Sequence, residues 1–456
     1  MIRPEESPEN PLWDLVVAGA GFSGLAAGIA AAEAGARTLI VESEAVPGGA
    51  ANISSGILWA PKSTADLSQY VTDGDPALQA AYCGNFFPAL DWFMSQGLPL
   101  SRPAPLGELG IGIVMERGTA GNKQEFMQLM AEAARRKGAD IRFNAPLESA
   151  TRTAYGFGVV LGGGAEPVRT RSIIFAGGGF QANLALVDRY VGAGAGKAFY
   201  QRGLPASTGA GLQTALSLGA GESRNMRHVY GHCMPDTPLP PERLQPLTAY
   251  IALHSVIVNR DGRRFVDETE GKLEEIILEE GWKQPGGVFW IIFDDKTYRQ
   301  YGIDTGISPA LPKIDRLEEW RAIGAPVYEA DSLEGLVRLL HEKEGVSERA
   351  LETIQAFNAA CHAGTAETLQ PPRAMNPDTV EQGPFHALRA RGGLSATCGG
   401  IRVDDAMRVL DSGGNILPGL YAAGVDAGGV FGRYYGGWLG WALVSGWLAG
   451  SQAVGR

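Results

Sequence analysis

WDLVVAGAGFSGLAAGIAAAEAGARTLIVE, residues 13–42, decides the architecture of this chain. A β-rich run, Leu15 to Val17, meets the turn Gly19-x-Gly21-x-x-Gly24. An alanine-rich helix follows, Gly35 closes it, and a β-branched strand, Thr38 to Val41, ends at Glu42. Strand, tight turn, helix and strand in one short unit make the βαβ fingerprint of dinucleotide binding. Gly19 permits the turn, Gly21 lets backbone approach a pyrophosphate, and Gly24 lets helix and sheet pack closely. The helix start, with Phe22 and Ser23 in its first turn, offers N–H groups and a partial positive charge to phosphates. Glu42, followed by Ser43, is placed to accept hydrogen bonds from a ribose diol, and its carboxylate repels a 2′-phosphate.

The next stretch, ESEAVPGGAANISSGILWAP at residues 42–61, separates two kinds of dinucleotide protein. A simple NAD dehydrogenase runs into another helix here. A loop of small and hydroxyl residues instead suits a long, extended cofactor whose ribityl chain passes along backbone. Gly48, Gly49, Ala50, Asn52, Ser54, Ser55 and Gly56 are the residues expected to line it.

The whole chain frames these motifs. At 456 residues it exceeds one ordinary core, so two domains are expected. Hydrophobic content of 45% and charged content of 20% describe a folded globular protein. Its 63 glycines cluster rather than repeat, as backbone does where it turns tightly or meets a ligand. A net charge of −11 argues against a nucleic-acid partner. Cys83, Cys233, Cys361 and Cys398 lack CxxC spacing, so reduced thiols in the cytoplasm are expected rather than a disulfide framework or a zinc site. The opening MIRPEESPENPLWD carries acids and prolines where a signal peptide would need an apolar core, and no membrane span is expected in the glycine-broken run after it.

On these residues the sequence resembles the fumarate reductase and 3-ketosteroid dehydrogenase family of FAD flavoproteins. That family's E-x-x-x-x-x-G-G-N-S-x-x-S-G-G region is matched from Glu42, with Ala50 and Ala51 ahead of Asn52. Further pieces arrive in the family's order along essentially the full length. A helix within Gly121 to Gly138 leads into a strand, Asp140 to Phe143, and a loop at Ala145 and Pro146 that the family sets against the adenine end. RSIIFAGGGFQAN, residues 171–183, matches its A-T-G-G-F segment with Gly177 for threonine; Ala176, Gly177, Gly178 and Asn183 are the implied contacts. STGAGLQTALSLGA, residues 207–220, matches T-G-D-G-x-x-x-A with Ala210 for aspartate and adds Gly209. VNRDGRRFVDE, residues 258–268, looks like the family's N-x-x-G-x-R-F-V-N-E. AAGVDAGG adds Gly424 and Asp426, and the start of the C-terminal helix adds Gly437, Trp438 and Leu439.

The resemblance implies an α/β fold (α+β overall): a Rossmann-like FAD-binding domain of the glutathione reductase type with an inserted α+β capping domain. The expected bounds are 1–235 and 373–456 for the FAD-binding domain and 236–372 for the cap. Two amphipathic helices, in SLEGLVRLLHEKEG and VSERALETIQAFNAACHAG, fall in the cap, and proline-rich PPRAMNP reads as the return linker. No histidine stands in the Gly48 to Gly56 loop, where relatives with covalent flavin carry one, so the FAD is expected to be dissociable. There is no second dinucleotide unit and no CxxC, against a pyridine-nucleotide disulfide reductase.

The C-terminal loop Gly432-Arg433-Tyr434-Tyr435-Gly436-Gly437 carries the expected chemistry. Fumarate reductases clamp two carboxylates with a His-Thr pair, a loop histidine and arginines. Here Ala396-Thr397 replaces the pair, Phe431 replaces the loop histidine, and Lys272 or nothing stands for the proton-donating arginine, without its planar fork. Ketosteroid dehydrogenases place a tyrosine in register with Tyr435, where a phenol polarises a ketone. Tyr435 is thus the expected substrate activator, with Arg433 assisting or holding a carboxylate and Tyr434 beside them. Tyr230, His228, His232, His254, Glu270 and Lys272 are further polar candidates. The implied activity is FAD-dependent α,β-dehydrogenation of a cyclic or steroid-like ketone by hydride transfer to the flavin. The alternatives are an enone or enoate reductase, or a flavoprotein subunit that needs a redox partner. With no haem or Fe–S motif, electrons must pass to or from an external partner.

Overall fold

A computed structural model of the protein describes residues 11–106, 110–164, 166–239, 243–271, 273–306 and 312–454. Lys272 lies outside the described residues. The described chain divides into two compact units: residues 1–191, 203–229 and 396–456, and residues 192–202 with 230–395.

The first unit grows from the opening motif. Strand Trp13–Ala18 pairs in parallel with Thr38–Val41 on one side and Val168–Phe175 on the other. Val168–Phe175 pairs in parallel with Ile416–Ala422, and Thr38–Val41 pairs in parallel with Asp140–Arg142. Helices lie against this sheet, so its central strands are apolar without alternation: Leu15, Val16 and Val17 are all fully buried. Helix Phe22–Glu33 is buried from Phe22 through Ala32, which is why it carries alanine and glycine on every side.

Small residues set how closely its partners approach. Gly19 sits at φ +122°, and a Cβ there would overlap the Ala176 carbonyl; one at Gly24 would overlap the Gly19 carbonyl. The C-terminal helix, Trp438–Val454, meets the first helix in the same way, with Gly446 on the Ser23 carbonyl and Gly450 on the Ala27 carbonyl. Gly450→Leu is therefore expected to cost about 1–3 kcal/mol by overpacking, read as a lower urea midpoint at unchanged slope.

The second unit is α+β. Strand Val288–Asp294 pairs antiparallel with Val256–Val258 and with Phe385–Thr397. Helices Leu333–Glu344 and Arg349–His362 bury Leu336, Leu340, Ile354 and Phe357 with Trp290 and Val256 of that sheet.

The observed division departs from the expected 236–372. Strand Phe385–Thr397, 13 residues long, also pairs with Val327–Ala330 and Tyr200–Gln201, so its sheet draws in chain on both sides of the expected insertion. Nor is the proline-rich return a loose linker. Arg373, 2% exposed, donates to the carbonyls of Ser255 and Leu253 and to the Glu268 carboxylate, pinning the segment inside the unit. Among the described residues no helix is long and apolar enough to cross a membrane.

Candidate functional site

The first helix begins at Gly21 with no side chain accepting from its first amides. An uncapped helix start with bare glycine backbone beside it is a fit for an anionic pyrophosphate. Gly48 closes the cradle: its amide donates to the Ala20 carbonyl (2.9 Å), and Gly21 and Gly48 form a parallel bridge. Gly49–Ile53 is a short 3-10 turn. Asn52 braces it from within, its amide donating to Pro47 O (3.0 Å) and to Gln124 Oε1 (2.9 Å). Ser54 donates back to Ala51 O and accepts from Gly56 N.

Glu42 is buried at the end of its strand, as expected, but its oxygens already have local donors. Oε2 accepts from Ala20 N (2.7 Å), and Oε1 accepts from Ser43 Oγ (2.9 Å) and Glu44 N (3.0 Å). The carboxylate holds the glycine turn to the second strand, leaving its remaining lone pairs for a ribose. Ala145 N donates to Glu42 O (2.8 Å), which ties the adenine-side loop to the same point, while Pro146 O accepts from Gly162 N.

Asp426, expected as a cofactor contact, has its carboxylate committed to backbone amides. It is 1% exposed and accepts from Gly177 N (2.7 Å) and Gly179 N (2.9 Å), so its carboxylate shapes the 176–179 turn. Burial raises its pKa against the opposing pull of those two amides. Asn183 likewise spends its side chain locally, accepting from Leu186 N at a helix start and donating to Thr208 O. Gly209 starts the next helix at φ +78°. Gly424 is fixed from the C-terminal helix: Ser445 accepts from its amide and Trp441 Nε1 donates to its carbonyl.

The C-terminal loop is held by residues the sequence did not single out. Asp73 accepts from Arg433 N (3.1 Å), and a Cβ at Gly432 would overlap that carboxylate. Asn225 donates to Asp73 O (2.9 Å) and to Phe431 O (3.0 Å). His228, buried and named in the sequence analysis, accepts from Arg227 Nε (3.1 Å) on the same nitrogen, Nε2, that stands 3.5 Å from the Asp73 carboxylate. Behind the glycine pair, the buried Tyr82 hydroxyl donates to Trp59 O and lies 3.3 and 3.2 Å from the carbonyls of Gly436 and Gly437.

Within this frame the two tyrosines part. The Tyr434 ring packs on Tyr70 with centroids 5.1 Å apart. The Tyr435 ring stands edge-on to Trp59 at 5.1 Å, and its hydroxyl accepts from Trp438 N at 3.1 Å. Trp438 is the first residue of the C-terminal helix, so the half-buried phenol oxygen sits on a helix N-terminus. Arg433, also half-buried, precedes both.

The second unit holds a polar cluster of its own. His232 is buried with Nδ1 2.7 Å from Glu274 Oε1 and Nε2 2.9 Å from the Tyr230 hydroxyl. Tyr250 stands edge-on to His232, and the Arg316 guanidinium lies 4.7 Å over the Tyr250 ring while pairing with Asp304. Arg202 donates to Ser395 Oγ (2.9 Å) and Thr248 Oγ1 (3.3 Å). Of these, sequence reasoning named Tyr230 and His232 but not Glu274 or Arg202, which no short motif joins to them. His254 stacks on Tyr301 at 3.5 Å with Nδ1 3.4 Å from Asp378, and Glu270 closes a turn onto Asp267 O.

Comparison with known proteins agrees with an FAD-binding fold. The family model described as FAD binding domain matches residues 14–437. The chain is 27% identical to a fumarate reductase (cytochrome) of Shewanella frigidimarina, over 97% of this chain and 77% of that one. It is 26% identical to the 4-oxocyclohexanecarboxylate 2-dehydrogenase of Sinomonas cyclohexanicum, over 97% of this chain and 93% of that one. Among solved structures, the 3-ketosteroid-delta4-(5alpha)-dehydrogenase from Rhodococcus jostii RHA1 superposes with a TM-score of 0.75 at 21% identity, covering 100% of both chains; that likeness speaks for the fold alone.

Proposed function

The chain belongs to the FAD binding domain family, and from that premise we propose that it removes hydrogens from the carbons α and β to a ketone in a cyclic substrate. The observation that carries this reading is the helix amide of Trp438 donating into the Tyr435 phenol oxygen. An N–H donated into that oxygen, reinforced by the helix dipole, favours negative charge there and makes the phenol's own O–H the stronger donor. A ketone accepting that O–H loses electron density, and its α C–H bond becomes more acidic. Bound FAD supplies the two-electron acceptor for the β-hydrogen, and the lack of a loop histidine supports a dissociable flavin. The relative named for a 4-oxocyclohexanecarboxylate dehydrogenation, aligned along nearly all of both chains, favours a cyclic ketone.

Anaerobic mixing tests the reading. Cyclohexanone, 4-oxocyclohexanecarboxylate and a saturated 3-oxosteroid are expected to include a ketone that bleaches the oxidised flavin band. The second reading is an enoate reductase with Arg433 on the carboxylate, favoured by that arginine's place in the loop and by the fumarate reductase relative. Reoxidation of chemically reduced protein by an enoate, with no bleaching by any ketone, would establish the second reading and sink the first. A yellow protein that responds to neither, and copurifies with a redox partner, would sink both.

A further inference from the structure

A buried cation lies against the loop expected to line the flavin cofactor, and the reading above does not use it. Lys123 is 3% exposed. Its ammonium donates to the carbonyls of Met115 (2.8 Å) and Gly118 (3.2 Å), and among the described residues no carboxylate lies within salt-bridge distance of it. Buried charges are costly and are ordinarily paired. Two carbonyl dipoles take up two of the three N–H donors and leave the net charge in place. Lys123 also stands at the N-cap of helix Gln124–Arg136, whose positive end gives a cation no help. Burial accordingly lowers its pKa. A charge kept on these terms stabilises whatever negative charge comes near it.

Its surroundings, all in the first unit, point to which charge that is. Backbone amides of the segment carrying Lys123 hold the cofactor loop at three alternate residues. Lys123 N donates to Asn52 O (2.9 Å), Gly121 N to Ser54 O (2.8 Å) and Met115 N to Gly56 O (2.8 Å). Gly56 sits at φ +75°, and a Cβ there would fall 2.1 Å from Lys123 Cε. The lysine chain therefore runs directly over the Gly56 backbone, with no side chain between them. From Gly48 to Gly56 the loop itself is uncharged, so nothing on it neutralises the ammonium.

We propose that Lys123 tunes the flavin, holding its reduction potential higher than an uncharged residue would and so favouring the oxidising direction. The inference rests on FAD lying along the 48–56 loop and on the hydride transfer of the reading above. Hydride transfer moves two electrons and one proton from a substrate carbon, which adds one negative charge to the acceptor, while the substrate's other hydrogen leaves as a proton. A fixed cation beside the cofactor loop stabilises that added charge and so favours the reduced state over the oxidised one. The pyrophosphate is charged in both states, so attraction to it strengthens binding without moving the potential. Lys123 acts here through its field and touches no substrate.

The midpoint potential of the FAD-loaded protein tests this, measured anaerobically without substrate against a reference dye for wild type, Lys123→Met, Lys123→Gln and Lys123→Arg. Loss of the charge is expected to shift the two-electron equilibrium about tenfold toward oxidised flavin, a potential lower by about 30 mV. That is the effect of one charge acting over about 10 Å at an effective dielectric of about 20. Lys123→Gln keeps an N–H for one carbonyl but no charge, and its potential should fall as far as that of Lys123→Met. Lys123→Arg keeps the charge and should stay within about threefold of wild type. Melting temperature reports the brace on the loop separately, and there Lys123→Gln should stand above Lys123→Met. Potentials unchanged in both neutral variants overturn the proposal, whatever happens to stability or FAD occupancy. So does an equal fall in Lys123→Arg, which would assign the effect to geometry rather than charge. Because no substrate is present, a lowered potential in the neutral variants of a protein that no ketone bleaches keeps the tuning role and defeats only the dehydrogenase reading.

Discussion

Tyr435→Phe is expected to lower turnover by at least about 100-fold while FAD remains bound. The ring contacts with Trp59 and Phe431 survive this substitution, so the loop keeps its packing. What disappears is one oxygen that both accepts the Trp438 amide and, in the proposed role, donates to the substrate carbonyl. Losing the acceptor costs about 1 kcal/mol of helix capping, a small fall in melting temperature. Losing the donor removes an interaction that strengthens as negative charge grows on the carbonyl oxygen, so kcat should fall more than KM rises. Tyr434→Phe is the internal control. Its ring packs on Tyr70, and turnover within about threefold of wild type is expected for a packing residue. Unchanged flavin reduction in Tyr435→Phe, with a large loss in Tyr434→Phe, would exchange the roles of the pair.

The position of Tyr435 at a helix start was legible in the sequence for a physical reason that also explains what was not. That position is a backbone event: two glycines, a helix start, and an aromatic residue three positions before the helix's first amide. Backbone constraints of that kind leave a mark in residue type, as Gly19 and Gly24 do, where a Cβ would overlap a carbonyl. Side-chain direction leaves no such mark. Asp426 and Asn183 stand in the right stretches for a cofactor, yet each carboxylate or amide turns to a neighbouring backbone group. Glu42 stands at its strand end as expected, and its carboxylate is likewise engaged by the Ala20 amide of the glycine turn. Long-range partners were the least visible. Asp73 and Asn225 hold the C-terminal loop from distant chain positions, and Glu274 meets His232 only because the second unit's sheet and its helix Glu275–Gly281 close on each other. The second compact unit runs past the expected bounds for a similar reason: PPRAMNP has the composition of a linker, and only the fold shows Arg373 buried on Glu268.

That ion cluster yields the largest expected effect on stability. Glu268 is fully buried and takes Arg264 at 2.9 Å on one oxygen and at 2.5 Å on the other; the second oxygen also takes Arg373 at 3.1 Å. Its first oxygen accepts in addition from Ile257 N at 3.1 Å. One carboxylate thus neutralises parts of two guanidiniums that are themselves nearly out of water, both of them lying over the Phe357 ring. Glu268→Ala leaves two buried cations with no counter-charge between them, at an expected cost of about 3–5 kcal/mol, a large share of a domain's total stability. Glu268→Gln should cost less, because its amide oxygen still accepts from one arginine or from Ile257. The triple replacement Arg264→Met, Glu268→Leu, Arg373→Met should recover much of the loss, since no charge is then left buried. Urea unfolding followed by tryptophan fluorescence reads all three, Trp290 lying in this unit's core. Equal losses for Glu268→Ala and the triple variant would mean that packing rather than charge holds the return segment, and would remove the electrostatic account of why PPRAMNP is not a linker.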